Sequence, residues 1–172
     1  MKKVAVFGKP GSGKSTFSKR LASVTGIPLH QLDTIVYQKN GDLVDRQTFD
    51  RAHDGMLSGD DWIIEGFGPI GPFNQRLEAA DTLIYIDLPY LVSYWLVTKR
   101  LFKGLLVRPE GWPEGSSVLK GSWESYKTLR LCPLFWNDDF LLTLEQYSAN
   151  KSVYVIRSLS ELNRLNSTLS EN

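Results

Sequence analysis

VAVFGKPGSGKSTFSKR, residues 4–20, is the stretch whose reading decides the fold. Val4, Ala5, Val6 and Phe7 make a short unbroken apolar run, the pattern of a strand buried on both faces. Gly8, Gly11 and Gly13 follow, then Lys14, Ser15 and Thr16. The spacing Gly8-x-x-x-x-Gly13-Lys14-Ser15 is that of the phosphate-binding loop in full.

The residue types follow from the chemistry of a polyphosphate. It is a dense anion that needs several N–H donors pointing inward, and glycines let the backbone curl without a Cβ in the way. A helix starting near Lys14 aims its free amides and positive dipole end at the same spot. Lys14 adds a movable full charge for the outer phosphates, and Ser15 offers a hydroxyl to Mg²⁺, an ion that takes oxygen ligands. That helix is predicted to run from Lys14 to about Thr25. Phe17, Leu21 and Val24 share one face, and Gly26 suits the stop.

Working outward, composition sets bounds. The chain has 172 residues, 42% of them apolar, and a net charge of +1. That predicts one domain with a real core, and gives no push toward nucleic acid or a membrane surface. The one cysteine, Cys132, has no partner for an internal disulfide and is expected to be a small buried residue, as in a reducing cytoplasm. The first strand begins almost at once, so no signal peptide is expected. Leu83 to Val97, the most apolar run, is broken by Asp87 and Pro89 and is too short to span a bilayer.

IPLHQLD predicts a second strand ending near Asp33, which lies where parallel α/β sheets hold their ligands. Asp45 is placed to cap a helix over Arg46 to Leu57, with Phe49, Ala52, His53 and Met56 inward. Trp62 to Gly66 predicts a third strand that ends in an acid. A buried carboxylate must be paired or bind a metal, so Glu65 is a candidate for Mg²⁺. The loop from Phe67 to Pro72 is a candidate pocket wall. Arg76 follows on a short helix, as a surface residue or as a clamp whose planar fork suits phosphate oxygens. Thr82 to Asp87 predicts a fourth strand that also ends in an acid, so Asp87 stands as the alternative metal acid. Pro89 opens a helix to about Phe102, with Tyr90, Tyr94 and Trp95 expected in the core.

From Lys99 to Arg130 seven basic residues face three acidic ones, a surplus of four. Its middle, Gly104 to Gly121, is rich in Gly, Pro and Ser. It is expected to be a lid loop that brings basic groups over the phosphates and excludes water, with Trp112 and Trp123 anchoring its ends. Leu134 to Tyr147 predicts a helix, Ser152 to Arg157 a fifth strand, and Leu159 to about Leu169 a last helix. The turn at Arg157 and Ser158 is a candidate contact for a nucleotide base. Strands alternating with helices predict a three-layer α/β/α sandwich on a parallel sheet. No Asn-Lys-x-Asp guanine signature is present, which favours adenine.

GKPGSGKST, HQLD, DWIIEGFG, NQRLEAADTLIYIDLP and VIRSLSEL, taken in order, resemble the adenylate-kinase-like P-loop proteins, and most of all the topology-modulation (FlaR-type) group. The resemblance implies the nucleoside-monophosphate-kinase fold, with five parallel strands in the order 2-3-1-4-5. It implies a single kinase-like domain over residues 1–172 with a lid at about 100–122. It implies that the loop residues Gly8, Pro10, Gly11, Ser12, Gly13, Lys14, Ser15 and Thr16 hold the triphosphate of ATP. Arg76 matches an arginine that in related kinases contacts the acceptor or the transferring phosphate. Arg100 matches the lid's first arginine, and Arg108 is a weaker match. Adenylate kinases proper carry an arginine in the Asp-Gly-Phe-Pro-Arg run, and Glu65 to Pro69 has none.

Two functions follow as expectations. One is a phosphotransferase that uses MgATP, with Lys14, Asp33, Arg76 and Arg100 catalytic, Ser15 and Glu65 at the metal, and a small-molecule acceptor. The other is a non-catalytic regulatory nucleotide-binding protein that acts on DNA.

Overall fold

A computed structural model describes residues 1–36, 44–106 and 118–168. Trp112 and Arg108 lie outside the described residues. Five strands, β1 (Lys3–Gly8), β2 (Leu29–Gln31), β3 (Trp62–Glu65), β4 (Thr82–Ile86) and β5 (Ser152–Ile156), form one sheet in the order β2-β3-β1-β4-β5. Every pairing is parallel, so all strands end at the same edge. Alternation along the strands sends side chains to two cores. Val4, Val6, Ile63, Ile84 and Ile86 meet Phe17 and Leu21 of α1 (Lys14–Thr25) and Leu162 of α8 (Leu159–Thr168). Ala5, Phe7, Ile64, Leu83 and Tyr85 meet Phe49 of α3 (Arg46–Leu57), Phe73 and Leu77 of α4 (Ile70–Ala79), and Phe140 and Leu144 of α7 (Asp138–Tyr147). Each large side chain so buried contributes on the order of 2 kcal/mol.

Local chemistry sets the ends. Gly26, at φ 72°, ends α1 and donates its N–H to the Ala22 carbonyl. The Asp45 carboxylate accepts from the Thr48 amide at 2.9 Å, the expected cap of α3. Lys151 reaches back from the start of β5, and its ammonium donates to the carbonyls of Leu77 and Ala80, both at 2.8 Å, and of Glu78. A lysine thus caps the C-terminus of α4, where carbonyls lack partners and the dipole is negative.

Several expectations need correction. β2 stops at Gln31, and Asp33 opens a one-turn helix, α2 (Asp33–Val36). α5 (Tyr90–Leu106) runs one turn past Phe102, and α6 (Val118–Leu131) occupies part of the expected lid loop and continues beyond it. The expected loop is therefore helical at both of its described ends. α6 packs on α5: Tyr94 stacks on Tyr126 at 6.0 Å, and the Thr98 and Tyr126 hydroxyls share a 2.6 Å hydrogen bond. Trp123 is 63% exposed, and Trp95, expected in the core, is 56% exposed. Leu134 ends a short 3₁₀ turn that starts at Cys132, so α7 begins only at Asp138, capped by the Asn137 side chain. Cys132 is buried, as expected.

Candidate active site

Between β1 and α1 the chain makes a tight curl that only glycine permits. Gly8, Gly11 and Gly13 have φ values of 146°, 74° and 84°. A Cβ on Gly8 would lie 2.3 Å from the Ile86 carbonyl oxygen. One on Gly11 would lie 2.7 Å from Val97 and 2.8 Å from the Ser93 carbonyl oxygen, both on α5. The curl is wedged between β4 and α5. No side chain caps the N-terminus of α1, so its first amides are uncommitted by any cap. An uncapped helix start beside a positive-φ glycine loop fits a polyphosphate.

The two strand-end acids take different partners, which the sheet order decides. Glu65 pairs in register with Val6, and Asp87 follows Ile86, which pairs with Gly8. The Ser15 hydroxyl donates to Glu65 Oε2 at 3.2 Å, and the Gln31 amide donates to the same oxygen at 3.3 Å. Asp87 instead forms an ion pair with Lys9 and accepts from the Tyr85 hydroxyl at 3.0 Å. Lys9 is buried with its ammonium 4.6 Å from the Tyr90 ring centre. Burial and the Asp87 carboxylate push the Tyr85 hydroxyl up from its ordinary pKa. Asp87 is thus spent on Lys9, and Glu65 is the acid beside Ser15.

Lys14 donates from Nζ to the Lys9 carbonyl oxygen at 2.8 Å. Burial lowers its pKa, Glu65 and Asp33 favour its charged form, and Arg100 opposes it. Arg100, on α5, donates to the Ser125 hydroxyl at 2.8 Å. Burial lowers its pKa, and Asp33 again favours the charge. Lys14, Glu65, Asp33 and Arg100 therefore share one electrostatic neighbourhood at the start of α1. Asp33 itself is exposed at the head of α2. The Cys132 thiol lies near Lys9 and Lys14, and its pKa is raised by burial.

Arg76 is neither on the surface nor in the open. It is fully buried, and Nη2 donates to the carbonyls of Gly66 at 2.8 Å and Phe67 at 3.0 Å. Its guanidinium stacks over Phe73 at 5.3 Å. Burial lowers its pKa to about 10 while Glu65 sustains the charge, so it remains cationic at neutral pH. Nε and Nη1 have no partner among the described residues. Arg157 stands apart. Its amide donates to the Glu161 carboxylate at 2.7 Å, and it borders a shallow hollow of about 500 Å³ between α7 and β5.

Reading the sequence missed Lys9, Gln31, Ser125 and Tyr126. Nothing local marks Lys9, whose partner Asp87 is 78 positions away.

His53 is packed beside Arg76, stacked on Phe49 at 5.9 Å, with both ring nitrogens unpartnered among the described residues. Burial and the Arg76 charge lower its pKa from 6.5 to about 4, against the weaker pull of Asp54 and Asp50. The unfolded chain takes up this proton more readily than the folded one. Stability is therefore full above pH 6.5 and falls as pH drops toward 4, by about 3 kcal/mol at most. Urea unfolding at pH 7 and pH 4.5 is expected to show that loss, and His53→Phe is expected to shrink it.

No protein-family model matches the chain. No curated protein matches it. Solved structures do match. Shikimate kinase from Acinetobacter baumannii, in complex with shikimate, aligns over 98% of this chain and 90% of its own at 15% identity, with a TM-score of 0.56. The fold is that of a P-loop kinase. An unliganded sugar kinase from Janibacter sp. aligns over 99% of this chain and 91% of its own at 18% identity, with a TM-score of 0.46, too loose a match to add to this. Among the described residues no helix is long and apolar enough to cross a membrane.

Proposed function

We propose that this chain is a phosphotransferase that moves the γ-phosphoryl group of ATP to a small-molecule acceptor. The observation that carries the reading is the gathering of Lys14, Glu65, Asp33 and Arg100 around an uncapped helix start and a glycine curl. The amides of the curl and of the first turn of α1 bind the phosphates, and Lys14 exchanges its Lys9 carbonyl for a phosphate oxygen. Ser15 and Glu65 would hold Mg²⁺, which supplies charge neutralisation on the phosphate oxygens. Asp33 orients the acceptor hydroxyl and takes its proton. The acceptor oxygen bonds to the γ-phosphorus as the bond to the β-phosphate oxygen breaks, and ADP leaves. Arg100, held by Ser125, offsets charge on the transferring group. Arg76, expected as a clamp on the acceptor, supports the Gly66–Phe67 turn from beneath instead of touching a phosphate. The chain would act as one domain over residues 1–172, with the region at about 100–122 as its lid.

Within the fold, the motif string favours the topology-modulation group. Its DNA-acting reading fits the geometry less well. Arg100 is turned inward to Ser125, and Lys127 is paired with Glu124 at 2.9 Å, so the basic stretch is partly spent within the chain.

Release of ADP from MgATP, measured against a panel of nucleosides, nucleotides and small hydroxylated metabolites, tests the proposal. Acceptor-dependent release is expected, and none above the basal ATPase contradicts it. With that acceptor, Arg100→Ala is expected to lower kcat by roughly 10²-fold while ATP affinity changes little.

A further inference from the structure

α5 carries a line of large exposed side chains. Leu91 is 84% exposed, Trp95 56% and Phe102 64%. Lys99 is exposed on the same line, with its ammonium 5.0 Å from the centre of the Trp95 ring. Residues 91, 95, 99 and 102 follow helical spacing and form one stripe. Other faces of α5 are occupied. Ser93 and Val97 back the glycine curl at Gly11, Val92 and Leu96 join the core over α1, and Tyr94 and Thr98 meet α6. The stripe is the face left over, on the side of α5 turned away from the curl. Two aromatics and a leucine in one exposed line are more than the scattered apolar residues of an ordinary surface.

The stripe is complementary to itself when reversed. A two-fold axis crossing α5 between residues 96 and 97 would lay two copies of the helix antiparallel. Leu91 then meets the partner's Phe102, and Trp95 comes within one residue of the partner's Lys99. Apolar falls on apolar, and an ammonium falls on an indole face, the same contact that Lys99 and Trp95 make within one chain. We propose that this face of α5 is a homodimer interface, paired antiparallel with the α5 of a second copy.

Area supports a second copy over a small ligand. At their observed exposures the three apolar side chains bring on the order of 400 Å² from each copy, about half of the roughly 800 Å² that each partner buries in a stable interface. The other half must come from residues beside the stripe on each copy. The ends and flanks of this 17-residue helix supply the polar rim. Because the stripe points away from Gly11, pairing leaves the nucleotide loop accessible, and the proposal stands apart from the reading of the active site.

Sedimentation velocity of the full chain from about 1 to 200 µM tests this by mass action. A concentration-dependent dimer is expected. Trp95→Glu and Leu91→Glu are expected to weaken it about tenfold or more, as central interface positions do, with circular dichroism unchanged. A second experiment reads the register. Residues 91 and 102 of one helix lie about 16 Å apart along its axis, too far for a disulfide within the chain. Leu91→Cys protein mixed with Phe102→Cys protein is therefore expected to form a cross-linked pair under mild oxidation, faster than either variant alone. A chain that stays monomeric throughout, or a dimer untouched by the stripe variants, would overturn the proposal. So would a monomer that binds anionic vesicles through Trp95, which would assign the stripe to a lipid surface.

Discussion

Lys14→Ala is expected to abolish phosphoryl transfer, lowering kcat by about 10³-fold or more, the scale seen when a charged clamp on a transferring phosphoryl group is removed. Lys14 is the one full positive charge set at the start of α1 itself, and its ammonium rests on the Lys9 carbonyl oxygen at 2.8 Å. Burial lowers its pKa, and the Glu65 and Asp33 charges favour its charged form against that. The variant removes that charge and frees one carbonyl, a folding cost of about 1 kcal/mol. Fold and melting point are therefore expected to survive while turnover does not. Single-turnover kinetics with the acceptor from the panel separate the two effects. A variant with near-native turnover would remove the loop from the chemistry.

Arg76→Met is expected to do the opposite, unfolding the chain more than it slows any step. An exposed phosphate clamp would be lost with no change in melting temperature. Arg76 instead lies fully buried beneath the Gly66–Phe67 turn, with its charge sustained by Glu65. Methionine keeps much of the volume but leaves the Gly66 and Phe67 carbonyls without their donor. Two carbonyls stripped of a buried charged donor cost about 3–5 kcal/mol. Arg76→Lys restores the charge without the fork that spans both carbonyls and is expected to recover only part of that loss. Thermal unfolding of the three proteins decides the matter. Equal melting temperatures would return Arg76 to the role of a clamp.

What could be read from the sequence was whatever a short window contains. Gly8 to Ser15 states its own backbone geometry, since a curl that would drive a Cβ to 2.3 Å from Ile86 admits only glycine. The apolar runs before Glu65 and Asp87 showed two buried strands ending in acids. Which acid faces Ser15 required the neighbours of β1, and those come from the sheet order. Arg76 was opaque for a similar reason: its partners are main-chain carbonyls in a loop, which leave no mark on composition. α6 was hidden because its buried positions include Ser122 beside Leu129, so the apolar period is broken. Trp95 and Trp123 misled in the other direction. Indole size argues for burial, yet both stand open on the faces of α5 and α6.

Titration calorimetry of the full chain with ATP in the presence of Mg²⁺ bears most directly on the central claim, that the curl from Gly8 to Thr16 grips a nucleoside triphosphate. Saturable heat at about one site per chain is expected, greatly weakened in Lys14→Ala. No heat with any purine triphosphate, from a protein shown to be folded, would contradict it.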